Sequence, residues 1–329
     1  MQAAHIPTAE LEAVLELRAK AMQHLLDFTQ YTKSDYIVGP HHIAICDALE
    51  RLERGDIDRL MIQAPPRHGK SELASRRFPA WYMGRNPAHQ IIAASHGDAF
   101  ARDIAIDVRQ VIESPEYGEL FDAKLNPATR AADNWRLSQG GMYYGVGIGG
   151  SSVGRGAHLL VIDDPIKGRQ EADSLTERDR GWRWFQSVAY PRLMENGKII
   201  LIFTSWHTDD LGQRILENAA DDEWTVIKLP AIDDEGAALW PEQFPIERLE
   251  RIRASIGARE WNAQYQQEPA PESGTYFERS WFDGRRYTDH PETLTNYICT
   301  DFALTDDGDY TEFGVFGVDG DQKIYVLDW

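Results

Sequence analysis

Hydrophobic and polar positions along the chain change period several times. From 9 to 30, Leu11, Leu15, Leu17, Ala21, Leu25 and Leu26 recur near helical spacing with charges between them, which predicts one amphipathic helix. A second helix is predicted from His42 to about Arg54, entered through Pro40 and ended by Gly55. The pattern then shortens. Arg59-Leu60-Met61-Ile62-Gln63-Ala64 is a brief apolar run, followed by a turn rich in Pro and Gly and by a new helix from Lys70. Similar runs stand at Gln90-Ile91-Ile92-Ala93-Ala94, Leu159-Leu160-Val161-Ile162, Lys198-Ile199-Ile200-Leu201-Ile202-Phe203 and Trp224-Thr225-Val226-Ile227. Helical stretches separate several of them, notably 98–113 and 209–220. Short, wholly apolar strands alternating with helices predict an α/β fold with a mostly parallel sheet flanked by helices. The Gly-rich segment from Gly140-Gly141 through Gly156 reads as the one long irregular stretch inside it.

A helical segment at 246–267 leads into Glu268-Pro269-Ala270-Pro271-Glu272-Ser273-Gly274, which has linker chemistry. Beyond it, Asn296 to Thr300, Glu312 to Val318 and Lys323 to Trp329 alternate with Asp/Gly turns, as the opening antiparallel strands of another domain would. The last of these runs to the final residue, so this second domain is expected to be incomplete.

Composition narrows the picture only a little. The 329 residues are 42% apolar, which suits a globular chain. No apolar run reaches the roughly 18–20 residues that span a bilayer, and Met1-Gln2-Ala3-Ala4-His5 lacks signal-peptide features, so no membrane association is expected. Cys46 and Cys299 lie far apart without metal-ligand spacing and read as ordinary thiols. A net charge of −19 disfavours nucleic acid on bulk grounds. A DNA motor, however, needs only a local basic surface. Arg76-Arg77, Arg178 to Arg183 and Arg285-Arg286 are the basic clusters, each read more readily as a solvated face.

Chemistry enters at Ala64-Pro65-Pro66-Arg67-His68-Gly69-Lys70-Ser71, which fits G-x-x-x-x-G-K-[ST] with Ala64 in place of the first glycine. Gly69 lets backbone approach phosphate, Lys70 reaches the β- and γ-phosphates, and the Ser71 hydroxyl suits Mg²⁺. Leu159-Leu160-Val161-Ile162-Asp163-Asp164 is an apolar strand ending in two carboxylates. Asp163 is placed to bind the Mg²⁺ and Asp164 to orient or deprotonate an attacking water. Arg67 is a candidate for charge on the γ-phosphate, or else a solvated loop arginine. Thr204, at a strand end, is a candidate γ-phosphate sensor. His42 or His41 is a candidate adenine contact, with a structural histidine weighed equally. ATP and Mg²⁺ are the expected cofactors.

Together these strings resemble the terminase large subunit family of tailed phages. The resemblance rests on 64–73, on Gly154-Arg155-Gly156-Ala157-His158 running into Val161-Ile162-Asp163-Asp164-Pro165, on Phe203-Thr204-Ser205-Trp206-His207, and on Gln264-Tyr265-Gln266-Gln267-Glu268-Pro269. It covers the chain from about His41 to Trp329. It implies a P-loop ATPase of the ASCE type, followed by the first strands of an RNase H-like nuclease. It implies Arg67 as the phosphate-loop arginine, Asp163 as the Walker B acid, Asp164 at the position of the catalytic carboxylate, and Thr204 in the motif coupling hydrolysis to movement. Ser205 lies in that motif with a less certain role, and Arg155 is one candidate for acting across a subunit interface. The resulting boundaries are an N-terminal helical segment at 1–58, the ATPase core at 59–230, a lid at 231–268, a linker at 269–290 and an incomplete nuclease domain at 291–329.

The resemblance further implies double-stranded DNA, a portal protein and procapsid, a terminase small subunit, and a homo-oligomeric ring, usually of five, as partners in the host bacterial cytoplasm. Asp301, in Tyr297-Ile298-Cys299-Thr300-Asp301, matches the first nuclease metal carboxylate. A two-metal site needs further acids, and Asp306, Asp307 and Asp309 read as turn residues. A divalent metal there is therefore expected only if the domain is completed. The competing readings are a host P-loop translocase or helicase, and a prophage remnant that binds nucleotide or partners without turnover.

Overall fold

The computed structural model describes residues 8–150, 154–218, 222–270, 293–301, 312–321 and 323–328. The chain divides into two units, Met1–Ser273 and Gly274–Trp329.

In the first unit the apolar runs become strands: β1 (Arg59–Gln63), β2 (Gln90–Ser95), β3 (Leu125–Arg130), β4 (Asn134–Leu137), β5 (Met142–Gly147), β6 (Ala157–Asp163), β7 (Leu193–Phe203) and β8 (Trp224–Lys228). They form one sheet in the order β3-β4-β5-β2-β6-β7-β1-β8. From β5 to β8 all pairings are parallel, and β3 and β4 add an antiparallel edge. Alternation of side chains divides the core between two faces. Leu60, Ile62, Ile91, Val161, Ile200 and Ile202 face the N-terminal helices, packing with Leu25, Phe28 and Leu49. Met61, Ile92, Leu160, Ile162 and Leu201 face the other way, onto Trp184, Leu211 and Ile215. A smaller apolar cluster of Ala231, Trp240, Phe244, Leu249 and Trp261 organises the segment around the helix Ile246–Glu260.

The strand order matters because β7 is inserted between β1 and β6. Its register sets Gln63 opposite Phe203 and Asp163 opposite Ile202. Ala64, Thr204 and Asp164 therefore leave the sheet side by side, held by Ala64 N–H to Phe203 O and Asp164 N–H to Ile202 O.

Two expectations change. The predicted helix at 9–30 is two helices, Thr8–Gln23 and Leu25–Thr32, separated at His24, whose backbone is extended. Nothing local demands a break. A carboxylate from the next helix, Glu50, accepts the Leu25 N–H at 2.7 Å and approaches His24 Nδ1 at 3.3 Å, capping the second helix from a distance. The Gly-rich stretch is also not irregular throughout, since 142–147 is strand β5. There the glycines serve close packing. A Cβ on Gly145 would stand 2.8 Å from Ala101 O, and one on Gly147 would stand 2.6 Å from Asp98 N. The helix Asp98–Glu113 can lie against β5 only because those side chains are missing.

The second unit contributes β9 (Thr295–Asp301), β10 (Glu312–Val318) and β11 (Ile324–Asp328), antiparallel in the order β11-β10-β9. Asp301 ends β9, but its side chain lies outside the described residues, as do Asp306, Asp307, Asp309 and Arg285-Arg286.

Candidate active site

The loop 64–69 joins β1 to a helix that starts at Lys70. Two of its residues lie in the left-handed region, Arg67 at φ 61° and Gly69 at φ 81°. Glycine is required at 69 twice over, because a Cβ there would also stand 2.4 Å from His42 Nε2. Ala64 has no such demand. It does not have a positive φ, it is fully buried, and its carbonyl accepts the Thr204 hydroxyl at 3.2 Å. A methyl is therefore accommodated where the motif usually has glycine.

Lys70 is 5% exposed and its ammonium is already aimed. Nζ donates to Thr204 Oγ1 at 2.8 Å and lies 3.6 Å from Asp164 Oδ2. The other Asp164 oxygen accepts the Thr204 N–H at 3.0 Å. Asp164 itself has φ 40°. A non-glycine residue held there stores about 1–3 kcal/mol, a kind of strain that gathers at functional sites. Ser71 Oγ donates to Asp163 Oδ1 at 3.0 Å. Asp163 is 1% exposed, and its second oxygen has no hydrogen-bond partner among the described residues. Burial, reinforced by the Asp164 charge, raises its carboxyl above the usual carboxylate range. A buried carboxylate oxygen without a partner, next to a serine hydroxyl, suits a hard cation such as Mg²⁺. The described residues contain no cluster of three or more metal-ligating side chains, and Mg²⁺ usually takes only one or two protein ligands beside phosphate and water.

Lys70, Ser71, Asp164 and Thr204 line a cleft of about 460 Å³ with Arg67, His96, Phe100, Lys167, Trp206 and Gln264, and Asp163 lies behind Ser71. Arg67 is exposed and makes no hydrogen bond or ion pair among the described residues. A second cleft of about 370 Å³ lies across the loop and shares Arg67, Gly69 and Glu72 with the first. Its other walls are Lys33, Tyr36, Ile37, Trp240, Gln243, Phe244 and Arg248.

His42 lies where it cannot offer a nitrogen to a base. It is fully buried, its Nδ1 accepts the Gly39 N–H at 2.9 Å, and its Nε2 donates to His68 O at 3.1 Å. His41 Nε2 donates to the same carbonyl at 2.8 Å, and the His68 ring stacks on Phe244 with centroids 4.2 Å apart. Burial lowers the pKa of all three, to about 3 for His42 and about 4 for His68. His42 thus supports the loop from behind, correcting the expected adenine contact.

Several contributors had no sequence signal of their own. His96, at the end of β2, donates its backbone N–H to the Asp164 carbonyl at 3.3 Å, and its ring lies 3.2 Å from the same oxygen. Gln267 Oε1 accepts the Ser205 N–H at 3.1 Å, giving the 264–269 string a contact with the strand-end motif. Within two of the basic clusters, Arg76 pairs with Asp107, Arg77 with Glu72, Arg178 with Asp209 and Arg180 with Glu177, while Arg183 bonds the Asp179 carbonyl. Arg155 lies over the Tyr144 ring at 3.8 Å.

The model of the T4likevirus-type terminase large subunit, N-terminal region, matches residues 61–283. The chain belongs to the terminase large subunit family. Among solved structures it is similar to the large terminase of bacteriophage HK97, with a TM-score of 0.50, 14% identity, and 88% of this chain and 62% of that one covered. A large terminase from a thermophilic bacteriophage gives a TM-score of 0.50 at 12% identity, over 89% of this chain and 69% of that one. The ATPase domain of a Thermus phage large terminase, in a mutant form, gives 0.50 at 14% identity, over 74% of this chain and 98% of the domain. At such identities the likeness is one of fold. The chain thus spans less than two thirds of the HK97 terminase. No curated protein matches this sequence.

Proposed function

We propose that this chain is the ATP-hydrolysing part of a terminase that drives double-stranded viral DNA into a procapsid. The observation that carries the reading is the convergence of Lys70, Ser71, Asp163, Asp164 and Thr204 at three neighbouring strand ends within a family-matched region. Lys70, held at the cleft by Thr204 and Asp164, is the candidate cation for the β- and γ-phosphates. Ser71 and Asp163 would hold Mg²⁺, which neutralises phosphate charge when bound. Asp164, fixed through the Thr204 N–H, is the candidate to orient the attacking water and accept its proton. Exposed Arg67 is free to move onto the γ-phosphate and stabilise charge in the transition state. The cleft lined by Lys70, Ser71 and Asp164 suits the phosphates, and the cleft walled by Tyr36, Ile37, Trp240 and Phe244 suits a base and ribose.

The partners follow the family reading: DNA, a portal and procapsid, a small subunit, and further copies in a ring, in the cytoplasm of a bacterial host. No helix among the described residues is long and apolar enough to cross a membrane. Asp301 would be the first metal carboxylate of a nuclease site, whose two metal ions would need further converging acids. The direct test is ATP turnover with and without blunt double-stranded DNA, combined with displacement of a triplex-forming strand as a readout of translocation. Turnover that DNA stimulates, with triplex displacement by the assembled motor, is expected. Turnover indifferent to DNA in the presence of portal and procapsid would contradict the motor role.

A further inference from the structure

Arg169 lies five residues after Asp164, at the start of the short helix Arg169–Asp173, and does not line the nucleotide cleft. Its guanidinium nonetheless uses four of its five N–H donors. Nε and Nη2 bind the two oxygens of Glu260 at 2.8 and 3.0 Å, while Nη1 donates to Trp206 O at 2.7 Å and reaches Asp173 Oδ1 at 3.3 Å. The same Asp173 oxygen takes Arg259 Nη2 at 2.8 Å. Glu260 also accepts Gln264 Nε2 at 2.6 Å, and Gln264 and Trp206 both line the phosphate cleft. Glu260 lies just past the break at Gly257 (φ 80°) within Ile246–Glu260, in the helical piece that continues into Trp261–Tyr265, while Trp206 follows the Thr204 that holds Lys70. One side chain therefore joins the segment after the acid pair, the phosphate-sensing strand end and the lid helix.

We infer that Arg169 is a positioning residue that ties the lid helix to the strand end carrying Thr204, so that occupancy of the phosphate cleft is transmitted to the lid. This rests on the reading of the cleft as an ATP site. The geometry requires arginine. A bidentate fork on a carboxylate plus a third N–H on a carbonyl uses three donors in one plane, which a lysine ammonium cannot reproduce. Burial pushes the Glu260 carboxyl up, but the Arg169 and Gln264 hydrogen bonds outweigh it and hold the group below its ordinary range, so the pair stays charged at neutral pH. Ser205 has a parallel tie through Gln267, so the lid side grips two consecutive residues of the motif.

The test uses the 329-residue chain, Arg169→Ala, Arg169→Lys and the reversed pair Arg169→Glu/Glu260→Arg. Binding of a slowly hydrolysed Mg–ATP analogue, amide exchange over 246–265 with and without it, and kcat and KM for ATP are measured. The wild type should bind the analogue and gain protection in the lid. Arg169→Ala and Arg169→Lys should still bind it, with affinity lowered about tenfold, within the range of coupling between two linked sites, and should lose the ligand-dependent lid protection and part of kcat. The reversed pair restores the ion pair but offers no donor to Trp206 O, so lid protection without nucleotide should return while kcat stays low. Nucleotide binding by the wild type with no lid response, or an Arg169→Ala lid that responds as the wild type does, would overturn the inference. So would a reversed pair with full kcat. A wild type that binds no nucleotide would instead sink the reading of the cleft itself.

Discussion

The phosphate loop has two buried sides, and they are built in opposite ways. On the cleft side, Lys70 and Asp164 bring charge together, with the buried Asp163 bonded to Ser71 and Asp164 in a strained conformation. Behind the loop, His41, His42 and His68 are neutral rings among Trp240 and Phe244; His42 bonds cap and loop backbone through both nitrogens, while His41 and His68 each bond through one. What separates them is charge. The front presents a cation and a carboxylate to an open cleft, whereas the back is made of neutral, buried rings that bond the backbone of the loop and so fix its shape.

Substitutions can break that contrast, and the largest effect belongs to the front. Lys70→Ala removes the cation at the β,γ position and should lower ATP turnover by about 100-fold or more, as loss of a charge-stabilising group at phosphoryl transfer does. Steady-state phosphate release measures it. Gly69→Ala attacks both sides at once, through the positive φ and the 2.4 Å approach to His42. Fluorescent-nucleotide titration should show affinity reduced at least about tenfold, matching the roughly 1–3 kcal/mol of strain introduced. A Gly69→Ala protein that binds normally would show that the back does not shape the loop.

Thr204→Val sharpens the distinction within the front. It deletes one partner of Lys70 and the hydroxyl bond to Ala64 O while leaving the backbone N–H on Asp164. A fall of about tenfold in kcat with little change in KM is expected, the pattern of an interaction made mainly in the transition state.

The back is tested through pH, and through stability in place of turnover. Folded His42 and His68 have pKa values near 3 and 4, against an ordinary 6.5. Between those values the unfolded chain binds protons that the folded chain refuses, so stability is complete above about 6.5 and falls as pH drops toward 4. Each histidine contributes up to about a tenfold change in the folding constant per pH unit in that window. Urea midpoints from pH 7 to pH 4.5 should decline, and less steeply in His42→Gln. Equal slopes for both proteins would mean the cluster is not buried as neutral rings.

How much of this was legible in the sequence follows from how local each signal is. Lys70, Ser71 and the Asp163-Asp164 pair could be read because strand, loop and helix follow one another in the chain and the chemistry fixes the residue types. The parallel sheet was legible for the same reason, in the wholly apolar runs of β1, β2, β6 and β7. The break at His24 was not, since its cause is Glu50 on another helix. Strand β5 was hidden because its glycines look like loop until the helix that crosses them is seen. His42 was singled out as an adenine contact or a structural histidine with no way to choose, because its partners Gly39 and His68 and its neighbour Trp240 come together only in the fold. Arg169 carried no signal at all, as Glu260 lies 91 residues away.

The central claim is that the front of the loop is an ATP-hydrolysing site, and Mg²⁺-dependent turnover by wild type, Lys70→Ala and Asp164→Asn tests it most directly. The account predicts turnover by the wild type that disappears with EDTA, is lost in Lys70→Ala, and is lost in Asp164→Asn with nucleotide binding retained. Full turnover by Asp164→Asn, or wild-type protein that binds Mg–ATP but does not hydrolyse it even when assembled with DNA and procapsid, would contradict it.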